Sequence, residues 1–343
     1  MKAAVCEGVR KVTVKEMRMP GPGAGEVLIR VKSSGICGSD VRAYLGLHPE
    51  VVYPVTLGHE FSGEVAALGD GVEGFKIDDG VIVEPLFPCG ECADCLAGNY
   101  NLCDELAMIG YQVPGSFAEY AIARASFLYH KGESLSFNEA ALVEPLAVAV
   151  HAVRRAGVGI GDLVVVLGTG GVGLLVMQVA KKAGAMVIAT DRSSEKLHLA
   201  ADMGADYVVN TDSSDLHELL MAITKDRGAD VIVECAGTPQ TMIQVVDLVR
   251  RGGTIVMVGW TGNELDQMPM TQITMGEINL LGSATYCRDF PTAVELAISR
   301  EVNLNAMISH EFRLSEVGGA LEELAEDQHA IIKGIVKISE QED

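Results

Sequence analysis

The chain has 343 residues, of which 48% are hydrophobic and 21% charged, and its formal net charge is −21. This length suits two globular domains better than one. The excess of acidic residues excludes a nucleic-acid surface and argues against binding to an anionic membrane. No apolar run is long enough to span a bilayer, and the first residues lack a signal-peptide core. We therefore expect a cytoplasmic protein whose partners are neither nucleic acids nor membranes.

The first 150 residues predict an irregular antiparallel β unit. They are rich in Gly and Pro, and apolar runs such as 26–35 and 61–69 are typical of strands broken by turns. In this region Cys37 and His59 lie on separate loops, and Glu60 follows His59. Three protein ligands with a fourth position left open are typical of catalytic zinc, which lowers the pKa of a coordinated alcohol.

The segment CGECADCLAGNYNLC (89–103) contains half of the eight cysteines. Its four cysteines are Cys89, Cys92, Cys95 and Cys103. Four thiolates at this spacing favour a closed tetrahedral zinc site that fixes a loop with little core of its own. A disulfide framework conflicts with the expected compartment. An iron–sulfur cluster is compatible with the ligands, although nothing else in the sequence indicates electron transfer.

From about residue 155, continuous apolar runs alternate with helix-length stretches. This pattern predicts a doubly wound α/β unit with a parallel sheet. The predicted strands are 163–168, 185–190, 206–210, 230–237 and 253–259, and the predicted helices include 173–184 and 240–251. A later helical pattern at 291–300 and a strand-like run at 333–339 either close this second unit or return to the first.

A glycine motif follows the first of these strands. G-x-G-x-x-G falls at Gly168, Gly170 and Gly173, between a strand and a helix, which is the context that a dinucleotide-binding turn requires. Backbone N–H groups at the helix start, including those of Gly171 and Val172, would meet the pyrophosphate. The alternative is a tight turn that binds nothing.

The end of the next strand bears on the choice of dinucleotide. Asp191 lies there, and a carboxylate at this position accepts hydrogen bonds from the ribose hydroxyls and repels a 2′-phosphate. The position favours NAD over NADP, whereas the neighbouring Arg192 weakens that preference.

Five motifs occur in order at familiar separations: GICGSD (35–40), GHEFSGEV (58–65), the four-cysteine segment, VEPLAVAVHA (143–152) and GTGGVG (168–173). On these motifs the chain resembles the zinc-dependent medium-chain dehydrogenase/reductase family over nearly its whole length, and most of all its polyol (sorbitol-type) branch. The resemblance implies an α/β protein with a GroES-like β catalytic domain plus a Rossmann doubly wound parallel-sheet domain, with the active site between them. The implied boundaries are 1–153 with 286–343 for the first domain and 154–285 for the second.

The resemblance also implies an activity. It indicates an oxidoreductase that transfers a hydride from a secondary alcohol to NAD⁺ and forms a ketone, with one catalytic and one structural zinc, acting as a homotetramer or homodimer. Cys37, His59 and Glu60 would hold the catalytic zinc together with a water. Glu144 would be an alternate or water-bridged ligand, and the choice between Glu60 and Glu144 stays open.

Three further residues match family positions around the substrate. Ser39 would relay the alcohol proton, His48 would pass it outward, and Tyr286 would lie on the substrate side. The position before Tyr286 is usually arginine in sorbitol dehydrogenases and is Thr285 here. This change removes hydrogen-bond donors for a polyhydroxylated chain, so sorbitol itself is not the assured substrate.

Several alternatives share this chemistry. L-Threonine 3-dehydrogenases, vicinal-diol (butanediol) dehydrogenases and dehydrogenases of sugar acids and sugar phosphates carry similar motifs. A non-catalytic scaffold protein of the same fold and a zinc-free quinone reductase are alternatives from other classes. Both predict loss of a zinc ligand or of the glycine turn, which this chain keeps. The remaining thiols are interpreted as core cysteines, although Cys287 lies near the expected pocket.

Overall fold

The computed structural model describes residues 1–262, 265, 267–327 and 331–338. The chain forms two compact units: unit 1 comprises Met1–Glu144 and Phe290–Asp343, and unit 2 comprises Pro145–Asp289. The chain after unit 2 therefore returns to the first unit. The domain boundaries implied by the resemblance stay a prediction.

The described residues form eighteen strands, numbered in chain order. They are β1 (Lys2–Gly8), β2 (Lys11–Glu16), β3 (Glu26–Gly35), β4 (Val55–Thr56), β5 (Glu60–Leu68), β6 (Gly80–Val83), β7 (Leu86–Phe87), β8 (Ala107–Met108), β9 (Tyr120–Arg124), β10 (Leu128–His130), β11 (Leu163–Leu167), β12 (Met186–Asp191), β13 (Tyr207–Asn210), β14 (Ala229–Glu234), β15 (Val249–Met257), β16 (Asn279–Gly282), β17 (His310–Arg313) and β18 (Gly334–Lys337).

They also form eleven α-helices. These are α1 (Gly38–Tyr44), α2 (Ala93–Ala97), α3 (Phe137–Ala141), α4 (Val143–Ala156), α5 (Gly171–Lys182), α6 (Ser194–Asp202), α7 (Leu216–Thr224), α8 (Pro239–Leu248), α9 (Met270–Gly276), α10 (Phe290–Ile298) and α11 (Val317–Glu326).

Unit 1 is built on a mainly antiparallel sheet in the order β10-β6-β5-β3-β18-β17, with β9 also paired to β3. A three-stranded sheet, β2-β1-β4, and the short pair β7-β8 complete its strands. Strand β3 is central because Val27, Ile29 and Val31 place one face of the alternating strand in the core. The antiparallel β unit predicted for the first half of the sequence is confirmed.

The strand register of unit 1 brings distant residues together. Gly35, at the end of β3, pairs with Glu60 of β5 on one side and with Ile335 of β18 on the other. The backbone N–H of Ile36 donates to the carbonyl of Gly334 at 2.9 Å. The start of β18 therefore lies beside the start of β5, although 273 positions separate Glu60 from Lys333.

Unit 2 is a six-stranded parallel sheet in the order β13-β12-β11-β14-β15-β16. Every residue of β11 is buried, as expected for a strand covered on both faces. The order is that of the doubly wound dinucleotide-binding fold, with the sheet order reversing beside β11. The doubly wound parallel sheet predicted from the sequence is confirmed.

Most predicted strands of unit 2 agree with the structure, but β15 begins at Val249 rather than at 253. Of the extra residues, Val249 pairs with Ala229 of β14, and a register irregularity separates this pair from the next one, Val231 with Thr254. The sequence RRGG (250–253) does not read as an apolar strand, and backbone pairing with the buried neighbour extends the strand there.

Candidate functional site

The four cysteines of the 89–103 segment come together. Their sulfur atoms lie within 4.8 Å of one another. The N–H of Cys89 donates to Cys103 Sγ at 3.3 Å, that of Cys92 to Cys89 Sγ at 3.3 Å, and that of Cys95 to Cys92 Sγ at 3.4 Å. None of the eight cysteines, all of which lie in the described residues, forms a disulfide. The local backbone therefore points its donors at sulfur, as suits thiolates around a metal ion.

The electrostatics of this group also fit a cation. Backbone N–H groups of Glu91 and Cys92 lower the pKa of Cys89 to about 7, so a thiolate forms near neutral pH. Burial and the neighbouring thiols raise the pKa of Cys95 to about 12. Full deprotonation of four adjacent thiols therefore requires a compensating positive charge, and Zn²⁺ supplies it.

The second candidate metal group is Cys37, His59 and Glu60, whose donor atoms also lie within 4.8 Å of one another. Cys37 is the N-cap of α1, and Glu60 begins β5. A Cβ on Gly35 would lie 2.1 Å from Glu60 Oε2, so only glycine at this position leaves room for the carboxylate. One thiolate, one imidazole and one carboxylate form a donor set suited to zinc with an open position.

The carboxylate of Asp40 lies close to two of these ligands, Cys37 and His59. Its Oδ2 accepts the N–H of Cys37 at 2.9 Å, and its Oδ1 lies 3.5 Å from His59 Nδ1. Burial acts to lower the pKa of His59, but interactions with Tyr111, Asp40 and Cys37 outweigh burial and raise it well above its usual value. A carboxylate behind a histidine in this way fixes the ring and increases its basicity toward a metal. The sequence analysis missed Asp40, although it closes the GICGSD motif.

Lys333 is a second residue that the sequence analysis missed. It is buried, its ammonium contacts both carboxylate oxygens of Glu60, with Oε1 at 2.6 Å, and it donates to the carbonyl of Ile36 at 3.1 Å. Burial acts to lower the pKa of Lys333, but the charges of Glu60 and Cys37 outweigh it and raise the pKa, so the side chain stays cationic. Glu60 is therefore shared between a candidate metal and a lysine.

Glu144 is buried in the first turn of α4 and acts electrostatically on Lys333. Among the described residues, the group with mutually close donor atoms is Cys37, His59 and Glu60, and Glu144 is not a member of it. Both Glu60 and Glu144 therefore interact electrostatically with Lys333. The choice between Glu60 and Glu144 as the zinc ligand stays a prediction.

The predicted proton-relay residues flank the same group. Ser39 lies in the first turn of α1, two residues after Cys37. Burial lowers the pKa of His48, and its Nδ1 accepts the N–H of Glu50 at 3.3 Å. This acceptor role places the proton of the neutral ring on Nε2.

Tyr111, which follows β8, also lies beside the candidate metal ligands. It was not predicted from the sequence. Its ring centroid lies 4.3 Å from that of His48 and 5.4 Å from that of His59. Burial raises the pKa of Tyr111, which keeps the phenol neutral. No spacing signal singled out this tyrosine.

The glycine turn of unit 2 lies between β11 and α5, as predicted. Gly168 has φ +90°, a conformation that favours glycine. A Cβ on Gly173 would lie 1.8 Å from the carbonyl oxygen of Gly168, whereas one on Gly170 would meet nothing within 4 Å. Helix and strand thus pack closely, and the approach to the first N–H groups of α5, at Gly171 and Val172, is open at Gly170. The turn fits a pyrophosphate.

Asp191 ends β12 and is held beside the glycine turn. Its Oδ2 accepts the N–H of Thr169 at 2.8 Å, and its Oδ1 accepts the N–H of Ser193 at 2.9 Å. Burial acts to raise its pKa, but these bonds outweigh burial and lower it, so the carboxylate stays ionised. The guanidinium of Arg192 binds Asp212 at 2.9 Å. The positive charge beside the turn is therefore already paired with an acid.

Tyr286 is fully buried in unit 2, in the segment after β16. Asp289 anchors this segment by accepting from the N–H of Cys287 at 3.0 Å, from Arg154 at 2.7 Å, and by contacting His151 Nδ1 at 2.7 Å. The contacts of Asp289 were not foreseen. The predicted substrate-side role of Tyr286 stays a prediction.

Comparison with known proteins agrees with this geometry. Residues 23–133 match the alcohol dehydrogenase GroES-like domain family, and residues 171–299 match the zinc-binding dehydrogenase family. A sorbitol dehydrogenase from Halalkalibacterium halodurans is 41% identical over 322 residues, covering 92% of this chain and 94% of the relative.

Two solved structures are also similar. A zinc-binding dehydrogenase from Sinorhizobium meliloti 1021, bound to NADP, has a TM-score of 0.92 at 33% identity, covering 98% of this chain and 99% of the other. A protein described as a short chain alcohol dehydrogenase from Escherichia coli CFT073, in complex with NADH, has a TM-score of 0.92 at 31% identity, with the same coverage.

The two metal-ligand groups and the dinucleotide turn define a zinc- and NAD-dependent alcohol dehydrogenase. The chain belongs to the zinc-dependent medium-chain dehydrogenase/reductase family, in its polyol branch. The non-catalytic alternative is set aside, because the chain keeps the ligands and the turn. Within the part of the chain that the structure describes, no helix combines the length and apolar character needed to cross a membrane.

Proposed function

We propose that the protein oxidises one secondary hydroxyl of a polyol or related sugar alcohol, with NAD⁺ as hydride acceptor and a ketone as product. The observation that carries this proposal is the group of half-buried Cys37 and buried His59 and Glu60, with donor atoms within 4.8 Å of one another. The sorbitol dehydrogenase relative at 41% identity supports the polyol class. On the same ground the vicinal-diol alternative is not favoured.

In the proposed mechanism the chain's residues would bind the metal and move one proton. Cys37 and His59 would hold zinc, with Glu60 or Glu144 as the third protein ligand. When bound, zinc would supply Lewis-acid chemistry and NAD⁺ would supply a hydride acceptor. Ser39 takes the alcohol proton, because the helix start places its hydroxyl two residues from Cys37.

Around this centre His48 passes the proton onward and Tyr286 shapes the substrate side. Thr285 supplies a hydroxyl where sorbitol dehydrogenases usually have an arginine guanidinium. The substrate of this protein is therefore bound with fewer charged hydrogen-bond donors than sorbitol is in those enzymes. The four-cysteine segment holds a structural zinc. We assign the catalytic role to residues 1–153 with 286–343 and the dinucleotide to residues 154–285.

The proposed cofactor preference is NAD over NADP. Gly168, Gly170 and Gly173 shape the pyrophosphate turn, and the ionised Asp191 accepts from the ribose hydroxyls. Pairing of Arg192 with Asp212 supports the preference, because a paired guanidinium is less available to a 2′-phosphate. We also propose a cytoplasmic homo-oligomer, a tetramer or a dimer. Eight cysteines without a disulfide among them suit a reducing compartment.

Metal removal with a substrate panel tests the function. The enzyme is dialysed against a strong chelator and NADH formation is followed by absorbance with polyols, sugar phosphates, 2,3-butanediol and L-threonine. We expect activity with a polyol that disappears on chelation and returns with Zn²⁺. Full activity of the metal-free enzyme contradicts the mechanism, and oxidation of threonine or butanediol alone contradicts the substrate class.

Replacement of Asp191 tests the cofactor. Loss of hydrogen bonds to a carboxylate predicts that Asp191→Ala raises the KM for NAD⁺ by about 10-fold and improves use of NADP⁺. Asp212→Ala is the matched variant, since it frees Arg192 while leaving Asp191 in place. We expect it to improve NADP⁺ use alone. An unchanged KM for NAD⁺ in Asp191→Ala contradicts the assignment.

A further inference from the structure

The segment after β16, residues 283–289, leaves the parallel sheet of unit 2 at the edge that also carries the glycine turn. The N–H of Ser283 donates to the carbonyl of Met257, the last residue of β15, at 2.9 Å. Ligands of a doubly wound sheet bind outside the carboxyl ends of its strands. The glycine turn follows β11 and Asp191 ends β12, so the nicotinamide half of the cofactor would extend toward β14–β16. The segment therefore begins on the side of this edge where the substrate would react.

The backbone of this segment is strained at two residues. Thr285 has φ +50° and Arg288 has φ +62°, both in the left-handed region that favours glycine. A β-branched side chain such as that of Thr285 is particularly unfavourable there. Strained backbone persists only where surrounding contacts fix it, and it is concentrated at active sites and ligand-binding segments. The segment therefore requires an anchor.

Asp289 is that anchor. Only 2% of the residue is exposed. Its Oδ2 accepts the N–H of Cys287 at 3.0 Å and lies 2.7 Å from His151 Nδ1, and its Oδ1 accepts from the guanidinium of Arg154 at 2.7 Å. That guanidinium also donates to the carbonyl of Arg288, one of the strained residues, at 3.4 Å. Since His151 and Arg154 are three residues apart on α4, they lie on one face of the helix, and Asp289 fastens the segment to that face.

Two hydroxyl groups of the segment have no protein partner among the described residues. Ser283 Oγ and Thr285 Oγ1 are both buried and accept or donate no hydrogen bond there. The two residues are only half-buried, and Ala284 between them is exposed, so the segment reaches the surface. Because buried polar groups are almost always hydrogen-bonded, two neighbouring exceptions point to a partner from outside the chain. A polyol suits this role, since each of its hydroxyl groups can both donate and accept.

We propose that Asp289 is a positioning residue for substrate recognition. By holding residues 283–289 in their strained conformation, it places the hydroxyl groups of Ser283 and Thr285 to meet those hydroxyls of a polyol that do not react. Asp289 itself is neither a metal ligand nor part of the glycine turn. The inference rests on the proposed function and deepens it, since it names the residues that select a polyhydroxylated substrate and the residue that positions them.

The test is Asp289→Ala, assayed with the polyol that the parent enzyme oxidises best. Relaxation of the segment should raise the KM for this polyol by about 10-fold, the size of effect expected when a hydrogen bond to the substrate is lost. Both kcat and the KM for NAD⁺ should stay within about twofold, because the metal ligands and the glycine turn are untouched. A merely structural role would lower the melting temperature without this selective rise in the polyol KM.

Two further variants sharpen the result. Thr285→Val removes one hydroxyl and keeps the branched side chain, so it should raise the polyol KM while the melting temperature stays at the parental value. Asp289→Asn keeps an acceptor oxygen and should raise the polyol KM less than Asp289→Ala does. It also carries the test if the alanine variant does not fold. An unchanged polyol KM in Thr285→Val contradicts the recognition by this hydroxyl.

Asp230→Ala is the matched control, since Asp230 is another carboxylate of unit 2 that fixes the backbone. It accepts the N–H of Leu163 at 2.9 Å and binds Arg250 at 2.6 Å, at the start of β11 and thus at the opposite edge of the sheet. The control should lower the melting temperature, measured by circular dichroism, and leave the polyol KM at the parental value. The positioning role is overturned if folded Asp289→Ala keeps the parental polyol KM, or if its KM for NAD⁺ rises as much. Absence of polyol oxidation by the parent refutes the proposed function instead, which separates the two failures.

Discussion

The two metal-ligand groups of unit 1 are built in opposite ways. The four cysteines come from fifteen consecutive positions, and N–H groups of the same segment point at their sulfurs. Cys37, His59 and Glu60 come from two separate stretches, the starts of α1 and β5, and depend on Asp40 and Lys333 for their surroundings. The local group is closed by four protein ligands, whereas the other leaves a position free for substrate.

The difference teaches that the second group has to balance charge across the tertiary structure. The carboxylate of Glu60 is buried in an ion pair with the cationic Lys333, and a buried ion pair that loses one partner is strongly destabilised. The four-cysteine group balances its charge with the metal alone. Chemistry should therefore depend on the group of Cys37, His59 and Glu60, and folding on the four-cysteine group.

The largest effect is expected from His59→Ala, which removes an imidazole from the open group. Loss of the catalytic metal should lower kcat on the order of 1000-fold, because several kcal/mol of transition-state stabilisation disappear. Elemental analysis should show roughly half of the zinc remaining, in the four-cysteine group. A His59→Ala variant that keeps its full zinc content and activity would contradict the assignment of the catalytic metal to this group.

A smaller effect is expected from Lys333→Met, which frees the carboxylate of Glu60 from its ion pair. Glu60 then becomes more available to the metal, so zinc should leave more slowly to a chelator and kcat should fall by about 10-fold. Transfer of zinc to a coloured chelator in stopped flow measures the first quantity.

Lys337→Met serves as the control for this variant, since Lys337 ends β18, the strand that Lys333 directly precedes, but pairs with Glu311 at the surface. Neither the rate of zinc release nor kcat should change in Lys337→Met. Faster zinc release from Lys333→Met would show that the lysine supports the metal rather than competing with it for Glu60.

The smallest effect on turnover is expected from Cys103→Ser in the four-cysteine group. We expect kcat at low temperature to stay within about twofold, while the melting temperature falls by about 5 °C or more, because the loop has little core to replace the metal. Thermal unfolding by circular dichroism measures this fall. A large drop in kcat without a lower melting temperature would mean that the segment takes part in the chemistry.

The sequence by itself determined the features that depend on neighbours along the chain. The strands of the parallel sheet, the glycine turn with Asp191 and the four-cysteine segment each lie within a short stretch, where spacing and local hydrogen bonds decide the geometry. The resemblance added Ser39, His48 and Glu144 as expectations.

Only the tertiary structure decided what surrounds the catalytic ligands. The run 333–339 indicated a strand but gave no reason to link Lys333 with Glu60, and no pattern joined Tyr111 to His48 and His59. These contacts arise because Gly35 pairs with β5 on one side and β18 on the other, and because Tyr111 packs on His48 and His59. Strand register and side-chain packing over such separations depend on the whole core, which a single sequence pattern does not encode.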